Sequence, residues 1–215
     1  MIETVKDAAK TISRYVDGIV LRTFEHKNCL DMAAAAGVPV INGLSDFSHP
    51  CQALADLFTI GEKFSRLNYT RQKVSRRLKG LTLAYVGDGN NVCNSLLYAA
   101  AKSGMNITVA TPAGYAPNPE VVKQAKEMAK ETLSQIVITE NPLSAVNGAN
   151  VVYTDVWASM GQEEEISKRK IIFKDFQINA KLLTHAATGV LVMHCLPAHR
   201  GEEITDEVMD NKNSV

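Results

Sequence analysis

A histidine, a proline and a glutamine stand close together in the segment DFSHPCQALADLF, residues 46–58. Pro50 suits the first position of a helix, where its missing N–H removes no hydrogen bond, so His49 is predicted at the cap and Gln52 in the first turn. Unpaired backbone N–H groups and the positive end of the helix dipole lie there, which suits an anion or a polarised carbonyl. The dipole also disfavours a charged imidazole, so we expect a neutral His49 that donates a hydrogen bond. A histidine that serves only as a helix cap is the alternative interpretation.

The segment GDGNN, residues 87–91, lies between a predicted strand and a predicted helix. It differs from a dinucleotide-binding turn because Val92 replaces the third glycine and the end of the next strand offers no acid for a ribose. A nicotinamide cofactor is therefore disfavoured. Asn90 and Asn91 stand at the start of the helix, where an asparagine can donate to a carboxylate or simply cap the helix.

The segment DVWASMGQEEE, residues 155–165, begins with an acid at the end of a predicted strand. Asp155 is well placed there to bind the ammonium group of a substrate. The small residues that follow it are typical of a loop that moves over a ligand. We interpret the charged stretch behind this loop, residues 163–170, as the solvated face of a helix.

The segment HCLPAHRGEE, residues 194–203, carries one cysteine between two histidines. His194, Cys195 and His199 do not complete a tetrahedral site, so no metal is predicted. A Cys-His protease pair is a further alternative, but no oxyanion-hole pattern accompanies it. Because Pro197 follows, we interpret Cys195 as a strand end whose backbone carbonyl faces a pocket.

The predicted strands and helices around these segments alternate in a regular order. From residue 81 onward short apolar runs rich in β-formers alternate with helical patterns, which is typical of a parallel α/β sheet with crossover helices. Strands are predicted at Leu81–Val86, Ile107–Ala110, Gln135–Thr139, Val151–Thr154 and Val190–His194, and helices at Asn91–Lys102 and Pro119–Lys130. Ligands of such sheets bind at the carboxyl ends of the strands, where the polar segments stand. The fold class is therefore α/β, with a doubly wound parallel sheet in residues 81–215.

Residues 1–64 are organised differently. Helices are predicted at Val5–Tyr15, Cys29–Ala36 and His49–Phe64, and strands at Gly18–Leu21 and Val38–Ile41. Two short strands are too few for an independent sheet, so they either extend the second sheet or belong to the remainder of another domain. The basic residues 65–80 are interpreted as a solvated connection rather than a nucleic-acid site, because only Tyr69 is available there to stack on a base.

The composition excludes several classes of protein. Lys plus Arg (23) balances Asp plus Glu (23), so no overall field favours nucleic acid or an anionic membrane. No apolar run reaches the ~20 residues that span a bilayer, and the first residues lack a secretory signal, so a cytoplasmic protein is predicted. The four cysteines are far apart, which indicates free thiols.

In this order and spacing the four segments resemble the ornithine carbamoyltransferase family over essentially the whole chain. HPCQ is similar to the family's His-Pro-x-Gln element, DVWASMGQE to its ornithine loop and HCLP to its cysteine-bearing element. Arg22, in IVLRTF, stands where the family has an arginine for carbamoyl phosphate. Aspartate carbamoyltransferases share the first element but typically lack the Ser-Met-Gly loop and His-Cys-Leu-Pro, so the resemblance implies ornithine as the amine substrate.

The resemblance implies a partial carbamoyl-phosphate domain in residues 1–64 and a Rossmann-like ornithine domain in residues 81–215. It assigns carbamoyl phosphate to Arg22, His49, Gln52, Cys195 and Leu196, and ornithine to Asn91, Asp155, Ser159 and Met160. It assigns catalysis to Asp155, Cys195, His49 and Arg22. Asp155 and Cys195 would position the amine and help to receive its proton. The family implies arginine metabolism, a homotrimer with active sites between subunits, and neither metal nor organic cofactor.

The sequence departs from the family at both ends. The Ser-x-Arg-Thr element that binds phosphate is absent, as is the C-terminal helix that would follow Val215 and carry another arginine. We therefore expect this chain not to bind carbamoyl phosphate tightly. Three alternatives stay open: a truncated, catalytically inactive family member, a carbamoyltransferase for another amine such as putrescine, and an NAD-linked Rossmann protein, which Val92 disfavours.

Overall fold

The computed structural model of the protein describes residues 3–64, 78–158 and 163–215, which form two α/β units. The first unit contains helices α1 to α3 at Val5–Ile12, His26–Ala35 and Pro50–Phe64, and strands β1 and β2 at Ile19–Arg22 and Val40–Leu44. β1 and β2 pair with each other in parallel as a separate sheet. The expectation that these strands extend the second sheet is therefore wrong, and their place in another domain stays a prediction.

The second unit is a five-stranded parallel sheet covered by helices. Strands β3 to β7 span Thr82–Val86, Asn106–Ala110, Ile136–Thr139, Val151–Thr154 and Leu191–His194. Helices α4 to α9 span Asn91–Ser103, Pro119–Thr132, Pro142–Val146, Ile166–Ile172, Ala180–Leu183 and Asp206–Met209. The strand order is β5-β4-β3-β6-β7 with every pair parallel, which confirms the predicted doubly wound sheet.

Both faces of this sheet are buried, which explains why its strands are unbroken apolar runs. In β3, Leu83 and Tyr85 pack into the core on one face, while Ala84 and Val86 pack into the core on the other. All of β6 is buried. The Tyr153 ring of β6 stacks on Tyr85 with ring centroids 6.0 Å apart.

The winding of the chain reverses between β3 and β6. From β3 the chain proceeds outward to β4 and β5, then returns to the other side of β3 to form β6 and β7. The loops that follow β3 and β6 diverge from each other at this point and leave a crevice between them. Open α/β sheets bind ligands in such a crevice. GDGNN follows β3 and Asp155 follows β6, so two of the four polar segments meet here.

Three hydrogen bonds attach the loop before α3 to the start of α4. Asn91 Nδ2 donates to the Ser45 carbonyl at 2.7 Å, and Asn94 Nδ2 donates to the carbonyl of residue 47 at 3.0 Å. The His49 N–H donates to Ser95 Oγ at 2.8 Å. These bonds hold His49 beside the sheet of the second unit.

Several element ends differ from the sequence predictions for local reasons. α1 ends at Ile12 rather than Tyr15, because the Ser13 hydroxyl donates to the Ala9 carbonyl and accepts the N–H of residue 37. α2 begins at His26 rather than Cys29, because the Asp46 carboxylate accepts the His26 N–H and completes the first turn. No described helix has both the length and the apolar character needed to cross a membrane.

Candidate functional site

A cleft of about 910 Å³ lies between the two units at the carboxyl edge of the larger sheet. Six of the predicted site residues line it: Arg22, His49, Asn91, Asp155, Cys195 and Leu196. Gln52 is not among the residues that line it. Ser159 and Met160 lie outside the described residues, so their predicted contacts with ornithine stay predictions.

Asp155 is held by three donors at the base of this cleft. Its Oδ1 accepts the Val156 N–H at 2.7 Å and the Cys195 thiol at 2.9 Å. Its Oδ2 accepts Asn90 Nδ2 at 2.6 Å. The residue is only 6% exposed, so this carboxylate has a fixed orientation and a strong local field.

Asn90, rather than Asn91, is the asparagine that meets this carboxylate. Its Oδ1 accepts the N–H groups of Val92 and Cys93 as the N-cap of α4, while its Nδ2 donates to Asp155. The sequence suggested that an asparagine here donates to a carboxylate or caps the helix, and the Asn90 side chain does both. Asn91 lines the cleft, but its Nδ2 donates to the Ser45 carbonyl.

Cys195 contributes its side chain to the cluster as a hydrogen-bond donor. Burial and, to a smaller extent, the Asp155 carboxylate raise the pKa of the Cys195 thiol well above its usual range. The thiol is therefore protonated at neutral pH and cannot serve as a base. It can hold Asp155 in position and contact a bound amine.

His49 faces the cleft from the opposite unit as a neutral imidazole. It directly precedes α3, which begins at Pro50 as predicted. Burial, together with the positive charge of Arg22, lowers the pKa of His49 and outweighs the opposite effect of Asp155. Its Nδ1 is buried without a hydrogen bond among the described residues, which leaves the ring with unused capacity.

Gln52 points along α3 to a buried acid. Its Nε2 donates to Asp56 Oδ1 at 2.9 Å, one helical turn further on. Asp56 is 4% exposed, and burial raises its pKa to about 6. The sequence analysis did not single out Asp56, although the i, i+4 spacing of an amide and a carboxylate indicates such a pair.

The turn after β7 is fixed by a buried His-Glu pair. His194 Nε2 contacts Glu203 Oε1 at 3.1 Å, and His194 Nδ1 accepts the Leu196 N–H at 2.8 Å. Leu196 has a φ of 57°, which a leucine rarely adopts without such support. Ligand atoms of Asp155, His194 and Cys195 lie within 4.8 Å of one another, but both ring nitrogens of His194 are already engaged, which does not suit a metal.

The prediction that residues 163–170 form a solvated helix face is wrong at Arg169, whose side chain is only 7% exposed. Its Nη1 pairs with Asp88 Oδ2 at 3.0 Å and donates to the Trp157 carbonyl at 2.7 Å. Its guanidinium carbon lies 4.8 Å from the centre of the Tyr115 ring. One side chain thus joins the loops that follow β3, β4 and β6. The signal in the sequence is the apolar Phe173 four residues further on, whose buried ring lies 5.9 Å from the guanidinium carbon.

Gly89 is required because another loop crosses directly over it. A Cβ at this position would lie 2.2 Å from Pro117 N and 2.6 Å from the Tyr115 carbonyl oxygen, closer than atoms can approach. We expect Gly89→Ala to lower the free energy of unfolding by about 2–3 kcal/mol through overpacking. Urea denaturation measures this loss, with Gly37→Ala as the control because its φ is not positive and its Cβ would meet only Ser13 Cβ at 3.9 Å, an ordinary contact. Equal losses in the two variants would contradict the steric explanation.

Family models match both units. The aspartate/ornithine carbamoyltransferase carbamoyl-P binding domain matches residues 1–62, and the corresponding Asp/Orn binding domain matches residues 79–215. The ornithine carbamoyltransferase of Thermococcus kodakarensis is 54% identical over 213 residues, which are 99% of this chain and 64% of that protein. The anabolic ornithine carbamoyltransferase of Pyrococcus furiosus is 52% identical with the same coverage.

Solved structures agree with these matches. The ornithine carbamoyltransferase structure from Pyrococcus furiosus aligns with a TM-score of 0.91 at 52% identity, over 99% of this chain and 64% of that one. The structure from Gloeobacter violaceus aligns with a TM-score of 0.87 at 49% identity, over 99% and 68%. The chain therefore spans about 64% of the length of the curated relatives that it matches.

Proposed function

This chain belongs to the aspartate/ornithine carbamoyltransferase family, and from that premise we propose that it acts as an ornithine carbamoyltransferase, which converts carbamoyl phosphate and L-ornithine into L-citrulline and phosphate. One observation carries the proposal. The anionic cluster of Asp155, Asn90 and Cys195 lies in the same cleft as Arg22 and the neutral His49. A cation and an anion can therefore bind side by side.

The anionic cluster suits the amine. Asp155 binds the ornithine side-chain ammonium. Asn90 and Cys195 fix the orientation of the Asp155 carboxylate. Transfer requires the neutral amine, whose formation at pH 7 costs roughly 4–5 kcal/mol when the amine has the pKa of a lysine side chain, ~10.4. We assign the departing proton to Asp155, because the Cys195 thiol is already protonated. The amine then attacks the carbamoyl carbon, the bond from this carbon to the phosphate oxygen breaks, and the second proton of the attacking nitrogen passes to the departing phosphate.

The opposite wall suits carbamoyl phosphate. Arg22 offers a permanent positive charge to the phosphate, and His49 offers a neutral donor to the carbamoyl oxygen as negative charge develops there. Cys195 and Leu196 line the same cleft. Gln52 does not line it and is retained for carbamoyl phosphate as a prediction from the family resemblance. Ser159 and Met160 are retained for ornithine as predictions from the family resemblance.

The activity of the whole protein is a proposal because this chain spans 64% of the length of its relatives. The homotrimer, the place in arginine biosynthesis and the cytoplasmic location are proposals of the same kind. The Pyrococcus furiosus relative is named an anabolic ornithine carbamoyltransferase, which supports the biosynthetic direction.

Citrulline formation by this chain tests the proposal, with carbamoyl phosphate at high concentration because its binding is expected to be weak, and with putrescine and N-acetylornithine offered as competing amines. We expect ornithine to be carbamoylated in preference to both. Faster carbamoylation of putrescine would instead favour the diamine alternative. Calorimetric titration with ornithine is the companion measurement, because binding without turnover would identify a catalytically inactive family member.

We expect Cys195→Ala to reduce turnover by about 10–100-fold with the fold retained, because a hydrogen bond to a charged group contributes about 1.5–3 kcal/mol. The thiol that donates to Asp155 at 2.9 Å is lost in this variant. Cys195→Ser is the matched control, since a hydroxyl can donate to the same oxygen. Full activity in the alanine variant would show that the thiol has no part in positioning the carboxylate.

A further inference from the structure

Asp56 is a buried acid for which the mechanism above has no use. Asp56 stands in the middle of α3, where it is buried, and it is not among the residues that line the cleft. No lysine or arginine of the described residues pairs with it in an ion pair. Burial of a carboxyl group without a cation is unfavourable, so a role beyond stability is expected where such a group is kept.

The contact with Gln52 shows what the acid does locally. Gln52 Nε2 and Asp56 Oδ1 are 2.9 Å apart. An ionised carboxylate only accepts hydrogen bonds, so it must face the NH₂ end of the amide. The carbonyl Oε1 of Gln52 is then the end that is free for another partner. A glutamine without this neighbour could present either end.

We propose that Asp56 is a positioning residue of the carbamoyl-phosphate site: it holds the NH₂ end of Gln52, so that this amide presents only a hydrogen-bond acceptor to the ligand. The inference rests on the proposed function, in which Gln52 contacts carbamoyl phosphate. The matching donor on that ligand is the carbamoyl NH₂ group. Acetyl phosphate has a methyl group at the same position and cannot donate, so the fixed orientation selects a carbamoyl group over an acetyl group.

Protonation of Asp56 releases this hold. The groups that face it are Tyr153 of β6, then Asp155 and Cys195 beyond the ends of β6 and β7. Burial raises the pKa of Asp56 to about 6, opposed by Gln52 and by the Tyr153 hydroxyl. That hydroxyl is close enough to influence the acid, although it lies outside hydrogen-bonding geometry. Above this pKa the carboxylate fixes Gln52, and below it the protonated acid can donate to Oε1 instead.

The orientation can be followed without ligand or activity. In the ¹⁵N spectrum of this chain, the Gln52 side-chain NH₂ signal is expected to titrate with a midpoint near 6, the pKa of Asp56. The signal is assigned by its absence in Gln52→Met. In Asp56→Asn, which keeps the size of the side chain, the titration should disappear. A Gln52 signal that titrates unchanged in Asp56→Asn overturns the proposal.

Ligand selectivity gives the second readout. At pH 8 we expect Asp56→Leu to weaken carbamoyl phosphate by about tenfold, the effect of one hydrogen bond, and acetyl phosphate by less than about twofold. Equal weakening of both ligands would indicate a merely structural role and would overturn the proposal. If the unaltered chain binds neither ligand even at high concentration, the proposed function fails, while the Gln52 titration still decides whether Asp56 orients the amide.

Discussion

Replacing Arg169 by methionine is expected to lower the free energy of unfolding by about 3–5 kcal/mol, the usual cost of removing one partner from a buried ion pair. The side chains of Arg169 and Asp88 are 7% and 8% exposed, so water cannot replace the lost contact. The same change removes the donor to the Trp157 carbonyl and the cation that lies over the Tyr115 ring. Methionine keeps the length of the side chain, so the loss reports the charge and the hydrogen bonds rather than a cavity.

The loss should depend on pH because Asp88 can become neutral. Burial already raises the pKa of Asp88 to about 6, although Arg169 opposes this effect. Without Arg169 this pKa rises further above the ordinary value of ~3.9, so the folded state of the variant binds a proton that the unfolded chain releases. The stability of the variant therefore falls as pH rises through the folded pKa. The deficit relative to the unaltered chain should be larger at pH 8 than at pH 5.

Urea denaturation at these two pH values measures both effects. Asp88→Asn alone and combined with Arg169→Met completes a double-mutant cycle, and the double variant should recover part of the loss because no charge stays buried alone. Arg169→Lys tests whether a point charge suffices, which we do not expect at a site with several fixed acceptors. A loss below about 1 kcal/mol at both pH values would restore the interpretation of a solvated helix face.

The five-stranded sheet could be predicted from the sequence because its physical cause is local. A strand that is buried on both faces must be apolar at every position, and LTLAYVG and VLVMH are such runs. The same patterns located the carboxyl ends of the strands, where GDGNN, Asp155 and Cys195 stand. That GDGNN, Asp155 and Cys195 meet follows from the strand order, which the structure shows and the sequence analysis did not predict.

Individual contacts could not be predicted in the same way, because they depend on partners far apart in the sequence. Arg169 belongs to a run of charges, and only the three-dimensional fold brings Asp88 and Trp157 to it. The sequence likewise left Asn90 and Asn91 equivalent. Their difference arises because one side chain faces Asp155 across the sheet and the other faces Ser45 of the first unit.

Asp155→Asn is expected to weaken ornithine binding by about 10²–10³-fold, since removing one partner of a desolvated charge pair costs about 2–5 kcal/mol. The change is not conservative here. Oδ1 accepts from Val156 and Cys195, and Oδ2 accepts from Asn90, so both ends of the carboxylate face donors. An asparagine must turn its own NH₂ group toward one of these donors, and the variant should lose stability as well as charge.

A double variant separates these two losses. The Asn90 amide cannot flip to offer its oxygen to the new NH₂ group, because that Oδ1 caps α4. Asn90→Asp combined with Asp155→Asn reverses the contact: the new aspartate can still cap the helix, and it accepts from the NH₂ group of the new asparagine. Urea denaturation should therefore show recovered stability. Ornithine affinity, measured by calorimetry, should stay low, because the charge now stands on the helix cap instead of beside the Cys195 thiol. If the double variant binds ornithine within about tenfold of the unaltered chain, the total charge of the cluster matters and its position at residue 155 does not.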